Sequence, residues 1–221
     1  PVNEVRTLIE SFSYIKENIP KWNIYDTTHL MNKYLLEDIL LDTKKLSECI
    51  FEKSEGNPLY LTYIIKTLQS QGITLKIIES LPQYEFNLNS YYEYLTSLTD
   101  NNIVSVVLAC LDFSVTRVEL NQLIPFGFNF ESNLKDLSPV IVENILRGGI
   151  RLYHDSFRRF NIEKFKTTAN INEIYGKIAE WLEKQDFYEN AKSYRHLLRY
   201  YIKIKEYEKI KKYASTDFLT K

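Results

Sequence analysis

Ser54–Leu61, SEGNPLYL, reads as a sharp turn between two amphipathic helices, and the rest of the chain is organised around it. Upstream, Leu46, Cys49 and Ile50 recur at helical spacing, and the pattern stops at Gly56, a residue that tolerates the left-handed conformation ending many helices. A second helix starts at once. Asn57 is a preferred N-cap, and Pro58 falls at the first helical position, where a missing N–H forfeits no hydrogen bond. Leu61, Ile64, Ile65 and Leu68 follow at i, i+3, i+4 and i+7, and Gly72 ends the run. On spacing alone this is a well-made helical hairpin.

Outward from that turn, Val5, Leu8, Phe12, Ile15 and Ile19 predict a helix ending before Pro20, and Trp22 to Tyr25 suit a short strand. Asp26 or Thr27 can cap the next helix, with Leu30, Tyr34 and Leu35 on its apolar face, and Asp42 or Thr43 caps the helix that runs into Gly56. Residues 26–81 thus read as a small helical bundle. Gln83 to Asn89 is a polar linker, and Tyr91, Tyr92 and Leu95 start another helix.

The following part changes character. Asn101 to Leu111 is a helix with a broad apolar face, Thr116 caps a second over Val118 to Ile124, and Phe130 to Leu137 supports a third. Pro139 to Leu146, then Arg147-Gly148-Gly149 and Ile150 to Tyr153, give two apolar runs around a glycine-rich turn, a hairpin signal. Three helices followed by a β-hairpin make a winged helix.

Winged helices commonly place their third helix in the DNA major groove. Here that helix offers Lys135 against Glu131 and Asp136, a balance that repels phosphate. The module therefore reads as protein-internal, with Arg147, Arg151, Arg158 and Arg159 near the wing keeping a DNA alternative open. At the end of the hairpin stands Tyr153-His154-Asp155-Ser156-Phe157. Asp155 suits the N-cap of the next helix, Phe157 and Phe160 begin its apolar stripe, and His154 by itself is a junction histidine with no required ligand.

Two of these stretches, in this order, carry a resemblance. SEGNPLYL resembles the glycine-x-proline turn in the lid of signal-transducing P-loop NTPases of the STAND class, the group containing the NACHT and NB-ARC proteins. Tyr153-His154-Asp155 resembles the methionine-histidine-aspartate motif at the end of that class's winged helix. It departs from the pattern at Tyr153, where methionine is usual, and at Asn57, where plant members often have leucine. The resemblance covers about residues 26–165. It implies that Gly56, Asn57 and Pro58 lie beside the bound adenine, that the proline ring packs near the base, and that His154 touches the β-phosphate of ADP and holds a closed state. It also implies ATP or ADP as cofactor, Mg supplied through a P-loop core, partnership with that core, a ligand or protein trigger, possible homo-oligomers and an ATPase parent. Bacterial relatives often serve in antiphage defence.

The chain has no phosphate loop of its own. Its Gly176-Lys177 pair lacks the earlier glycine and the following Ser or Thr, and no nucleophile elbow is present, so this segment reads as a non-enzyme. Because Pro1 opens it and Met31 is its sole methionine, it reads as cut from something longer, from an AT-rich microbial gene. His29, His154 and His196 do not form a local metal motif.

The final third is helical and aromatic. Ile174, Ile178, Trp181 and Leu182 mark one helix; Ala191, Tyr194, Leu198, Tyr201 and Ile202 a second; Tyr207, Ile210 and Ala214 a third. From Asn161 to Lys221, 13 Lys or Arg stand against 9 Asp or Glu, a mildly basic solvated surface. This segment resembles the start of a helical repeat array that continues beyond Lys221. The expectation is a mainly α protein: a helical lid over 1–85, a winged helix over 86–168, and a TPR-like sensor over 169–221. An adaptor that holds a protein on its aromatic C-terminal helices is the third reading.

Composition bounds these readings. A length of 221 residues suffices for a real core, and a net charge of −1 with a pI near 6.4 argues against a protein devoted to nucleic acid or an anionic membrane. No apolar run reaches a membrane span and no signal-peptide pattern opens the chain, so the expected location is the cytoplasm. Cys49 and Cys110 fall on apolar helix faces and read as reduced core residues.

Overall fold

In a computed structural model, the structure describes residues 21–35, 43–99, 102–124, 130–144, 149–167 and 169–213. The expected helix over Val5–Ile19, the cap at Asp42, the Arg147-Gly148 turn and the end of the last helix at Ala214 lie outside them. The described chain is mainly helical. Its helices are α1 (Ile24–Leu35), α2 (Thr43–Ser54), α3 (Pro58–Gln71), α4 (Leu75–Ser80), α5 (Asn89–Leu98), α6 (Ile103–Cys110), α7 (Arg117–Leu123) and α8 (Phe130–Asp136). A 3₁₀ turn over Ser138–Val140 and strands β1 (Ile141–Asn144) and β2 (Gly149–Leu152) precede α9 (Asp155–Phe165), α10 (Ile171–Glu183), α11 (Ala191–Lys203) and α12 (Tyr207–Tyr213).

Caps set most of these boundaries. Asn57 takes the backbone N–H of Tyr60 at 2.9 Å with Pro58 at the first helical position, so α3 starts where its sequence says it should. Thr116 and Glu119 form a reciprocal capping box on α7. Three local expectations are corrected by the same chemistry. Trp22 to Tyr25 is not a strand, because Asn23 accepts from the N–H groups of Tyr25 (2.8 Å) and Asp26 (3.1 Å) and starts α1 at Ile24. That also displaces the expected cap at Asp26 or Thr27, and α1 buries Thr27, Met31 and Leu35 while Tyr34 stays exposed. The cap of α9 is His154 rather than Asp155, which instead pairs with Arg159 at 3.1 Å.

The β-hairpin is antiparallel, with Ile141 opposite Leu152 and Asn144 opposite Gly149. Pro139 and Val140, expected in its first strand, are taken up by the 3₁₀ turn. Val115 extends the pairing: it exchanges backbone hydrogen bonds with Ile150 at 3.0 and 2.6 Å, so the loop before α7 lies along the outer edge of β2.

One continuous apolar core runs from Met31 in α1 to Tyr201 in α11. Helix α3 is its axis, packing on α1, α2 and α4 on one side and on the 3₁₀ turn before the hairpin on the other. Residues 83–88 are not a free linker. The Tyr84 N–H bonds Lys53 O at 2.9 Å, the Gln83 amide bonds Glu52 O at 2.6 Å, and the Tyr60 hydroxyl bonds Pro82 O, so the segment is fastened to the end of α2 and to α3.

Helices α10 and α11 pack on each other, and α10 packs against α6 and α7. The buried face of α11 is Ser193, Leu197, Tyr200 and Tyr201, one step round from the expected stripe; Tyr194 and Ile202 are more than half exposed. Tyr200 decides that register. Its hydroxyl donates to Cys110 O (2.8 Å) and accepts from the Asp112 N–H (3.0 Å), satisfying backbone groups at the end of α6. Both cysteines are free; Cys110 is buried, which pushes its thiol up to about 12.

Candidate functional site

The turn after α2 uses two left-handed residues, Glu55 (φ 48°) and Gly56 (φ 71°). Gly56 is buried and has no room for a side chain: a Cβ there would stand 2.0 Å from the carbonyl oxygen of Trp22, whose own N–H bonds Gly56 O at 2.9 Å. Pro58, half-buried, follows on the rim of α3. The Asn57 side chain works twice, since its Oδ1 caps α3 while its Nδ2 donates to the Tyr84 hydroxyl at 2.9 Å. Replacing Asn57 by alanine removes both bonds and is expected to cost about 1–2 kcal/mol, read as a lowered urea midpoint.

His154 stands at the junction of β2 and α9 with its ring exposed. Its Nδ1 accepts from the Ser156 N–H at 3.1 Å and lies 2.7 Å from Ser156 Oγ. Ser156 Oγ is in turn 2.6 Å from the hydroxyl of Tyr92 on α5. Tyr153 points toward α3: its ring meets Tyr63 edge-on at 6.1 Å, and Lys66 Nζ sits 4.2 Å above it while donating to Ile141 O at 3.3 Å. Burial holds the Lys66 ammonium below the ordinary lysine range.

No hydrogen bond joins Gly56, Asn57 or Pro58 to His154 directly. A run of tyrosines connects them instead. From Asn57 it passes through Tyr84, Tyr60 (6.2 Å between rings), Tyr91 (5.1 Å), Tyr63 (5.4 Å) and Tyr92 (6.1 Å) to Ser156 and His154. Tyr60, Tyr63, Tyr91 and Tyr92 are all buried. Beside His154's helix an open cleft of about 520 Å³ lies between α5 and α9, lined by Asn89, Glu93, Ser156, Arg159, Phe160 and Lys164.

Sequence reasoning did not single out Lys66, Tyr92 or Ser156 as members of this site. Lys66 left a signal, being the sole charged residue in the fourteen of α3. Tyr92 and Ser156 left none, since they meet only through folding. On the third helix of the hairpin region, Glu131 pairs with Arg117, which also binds Glu143 through two bonds of 2.7 Å, so this cation beside α8 is already engaged. Among the described residues, no three His, Cys, Asp or Glu side chains gather as a metal site, and no helix is long and apolar enough to cross a membrane. No family model, curated protein or solved structure matches this chain.

Proposed function

We propose that this chain is the regulatory part of a STAND-type nucleotide switch. In this reading α5 to α9 with the hairpin form a winged helix, the preceding bundle is the lid, and α10 to α12 begin a helical sensor. ADP is held between a P-loop core on the adjoining polypeptide, the Pro58 turn and His154, with Mg supplied by that core. A ligand or protein engaging the C-terminal helices releases the lid, allows ATP exchange and promotes oligomerisation, possible outputs including antiphage defence. The mechanism is a population shift in which ADP makes contacts in the closed state that the open state lacks.

The observation that carries this reading is that the proline turn and the histidine junction are built against the same buried tyrosine seam, so a single body presents both. Two of the arginines behind the DNA-binding alternative are engaged within the chain, Arg158 by Leu111 O and Asp112 and Arg159 by Asp155, which disfavours it.

Testing begins with the gene on the 5′ side of the Pro1 codon. A Gly-x-x-x-x-Gly-Lys-Ser/Thr loop there supports the switch; a start codon close to Pro1 overturns it. In the joined polypeptide, His154→Ala is expected to lower the ADP retained through purification and to raise basal output. A hydrogen bond to a charged phosphate contributes about 1.5–3 kcal/mol, enough to move a closed-to-open ratio about tenfold or more. Unchanged nucleotide content with silent output counts against the proposal, and salt-sensitive duplex binding by this chain replaces it with the DNA-binding reading.

A further inference from the structure

The hydrogen bonds around His154 define which of its nitrogens carries the proton. Nδ1 faces the Ser156 backbone N–H at 3.1 Å, and an N–H can only donate. A proton on Nδ1 would therefore set donor against donor, so the neutral ring that caps α9 carries its proton on Nε2. Ser156 Oγ, 2.7 Å from the same Nδ1, has one proton to give and gives it there. The contact between Ser156 Oγ and the Tyr92 hydroxyl at 2.6 Å must then run the other way, with Tyr92 donating and Ser156 accepting. The result is a directed chain, Tyr92 to Ser156 to His154.

We propose that Tyr92 is the positioning residue for His154: by donating to Ser156 Oγ it aims the Oγ–H at Nδ1, and this bond reinforces the backbone cap in holding the ring orientation and tautomer that turn Nε2–H outward as a donor for an anionic oxygen. Tyr92 suits the task because rings pack round it. It is buried on α5, with its ring 5.1 Å from Phe157, 5.3 Å from Phe160 and 6.1 Å from Tyr63. An exposed histidine is thereby tied to the buried tyrosine seam, which also ends at Asn57. A positioned donor loses less freedom on meeting its acceptor than a free one does, which is how a supporting residue contributes to binding without touching the ligand. The tautomer assignment stands on this geometry alone; that the acceptor is a phosphate of ADP rests on the switch reading above.

The test is long-range ¹H–¹⁵N correlation of the three histidines in the ¹⁵N-labelled chain, with His154 assigned by its loss in His154→Ala. The wild-type protein is expected to show His154 as the Nε2–H tautomer with an unprotonated Nδ1. Tyr92→Phe keeps the packed ring and removes only the hydroxyl, and is expected to raise the Nδ1–H population of His154 several-fold; Ser156→Ala is expected to raise it further. A wild-type Nδ1–H tautomer, or ¹⁵N shifts unmoved by both variants, overturns the relay. Should Tyr92→Phe fail to fold, Ser156→Ala, at a half-buried position, decides by the same spectrum. ADP retention by the joined polypeptide separates the two claims. If both variants shift the tautomer while His154→Ala leaves retained ADP unchanged, the relay stands and the switch reading falls. If His154→Ala releases ADP and the spectra of both variants match wild type, the reverse holds.

Discussion

Gly56→Ala is expected to lower stability by about 2–5 kcal/mol, among the largest effects of any single-methyl addition to this protein. The left-handed backbone at φ 71° costs an L-residue about 1–2 kcal/mol, and forcing a methyl into an occupied site costs about 1–3 kcal/mol more. The occupied site is the Trp22 carbonyl, 2.0 Å from where the Cβ would stand, and backbone yields less readily than a side-chain tip. Fluorescence in urea, read in a Trp181→Phe background so that Trp22 alone reports, measures the loss. Gly176→Ala is the control, because that glycine lies inside α10 with nothing within 4 Å of an added Cβ, and alanine there is expected to stabilise by about 0.5–1 kcal/mol. Equal responses at both positions would mean that the Trp22 strap does not close over the turn.

Tyr63→Ala is expected to cost about 3–5 kcal/mol, the range for emptying a buried aromatic site. Tyr63 is fully buried and, among the described residues, is the one ring that touches both helix α5, through Tyr91 and Tyr92, and the hairpin exit, through Tyr153. Its removal leaves a cavity where the helices before α5, α5 itself and the hairpin meet, so hydrogen exchange at Tyr153 to Ser156 is expected to accelerate along with the drop in the urea midpoint. Tyr25→Ala, at a ring that is 82% exposed, is expected to fall within about 0.5 kcal/mol of wild type. A Tyr63 variant as stable as the Tyr25 variant would show that the seam carries no packing energy.

The proline turn was readable because its determinants are contiguous: a glycine for the left-handed step, an asparagine to cap and a proline at the first helical position lie in consecutive residues. The Thr116 cap was readable for the same reason. Where two residues could each serve as cap, reading by residue type chose wrongly. Asp155 is the better cap by preference, yet His154 is the residue whose side chain reaches back to the Ser156 N–H, and Asp155 is drawn off by Arg158 and Arg159. Asn23 likewise starts α1 ahead of Asp26, whose carboxylate returns a bond to the Asn23 N–H at 2.9 Å.

By itself the sequence determined the order of the helices other than α4, the capped starts of α3 and α7, and the hairpin, because each depends on neighbours within a few residues. Tertiary structure alone decided which face of α11 turns inward. Tyr194, Leu198 and Ile202 form as good a stripe as Leu197, Tyr200 and Tyr201, and the choice falls to Tyr200 because the open backbone groups at Cys110 and Asp112 need its hydroxyl. The same holds for the tyrosine seam. A tyrosine is apolar along its ring and polar at its tip, so it fits core or surface equally well in a sequence pattern; only partners brought from 24 to 64 residues away, Thr67 for Tyr91 and Ser156 for Tyr92, bury the hydroxyl satisfied and fix the ring.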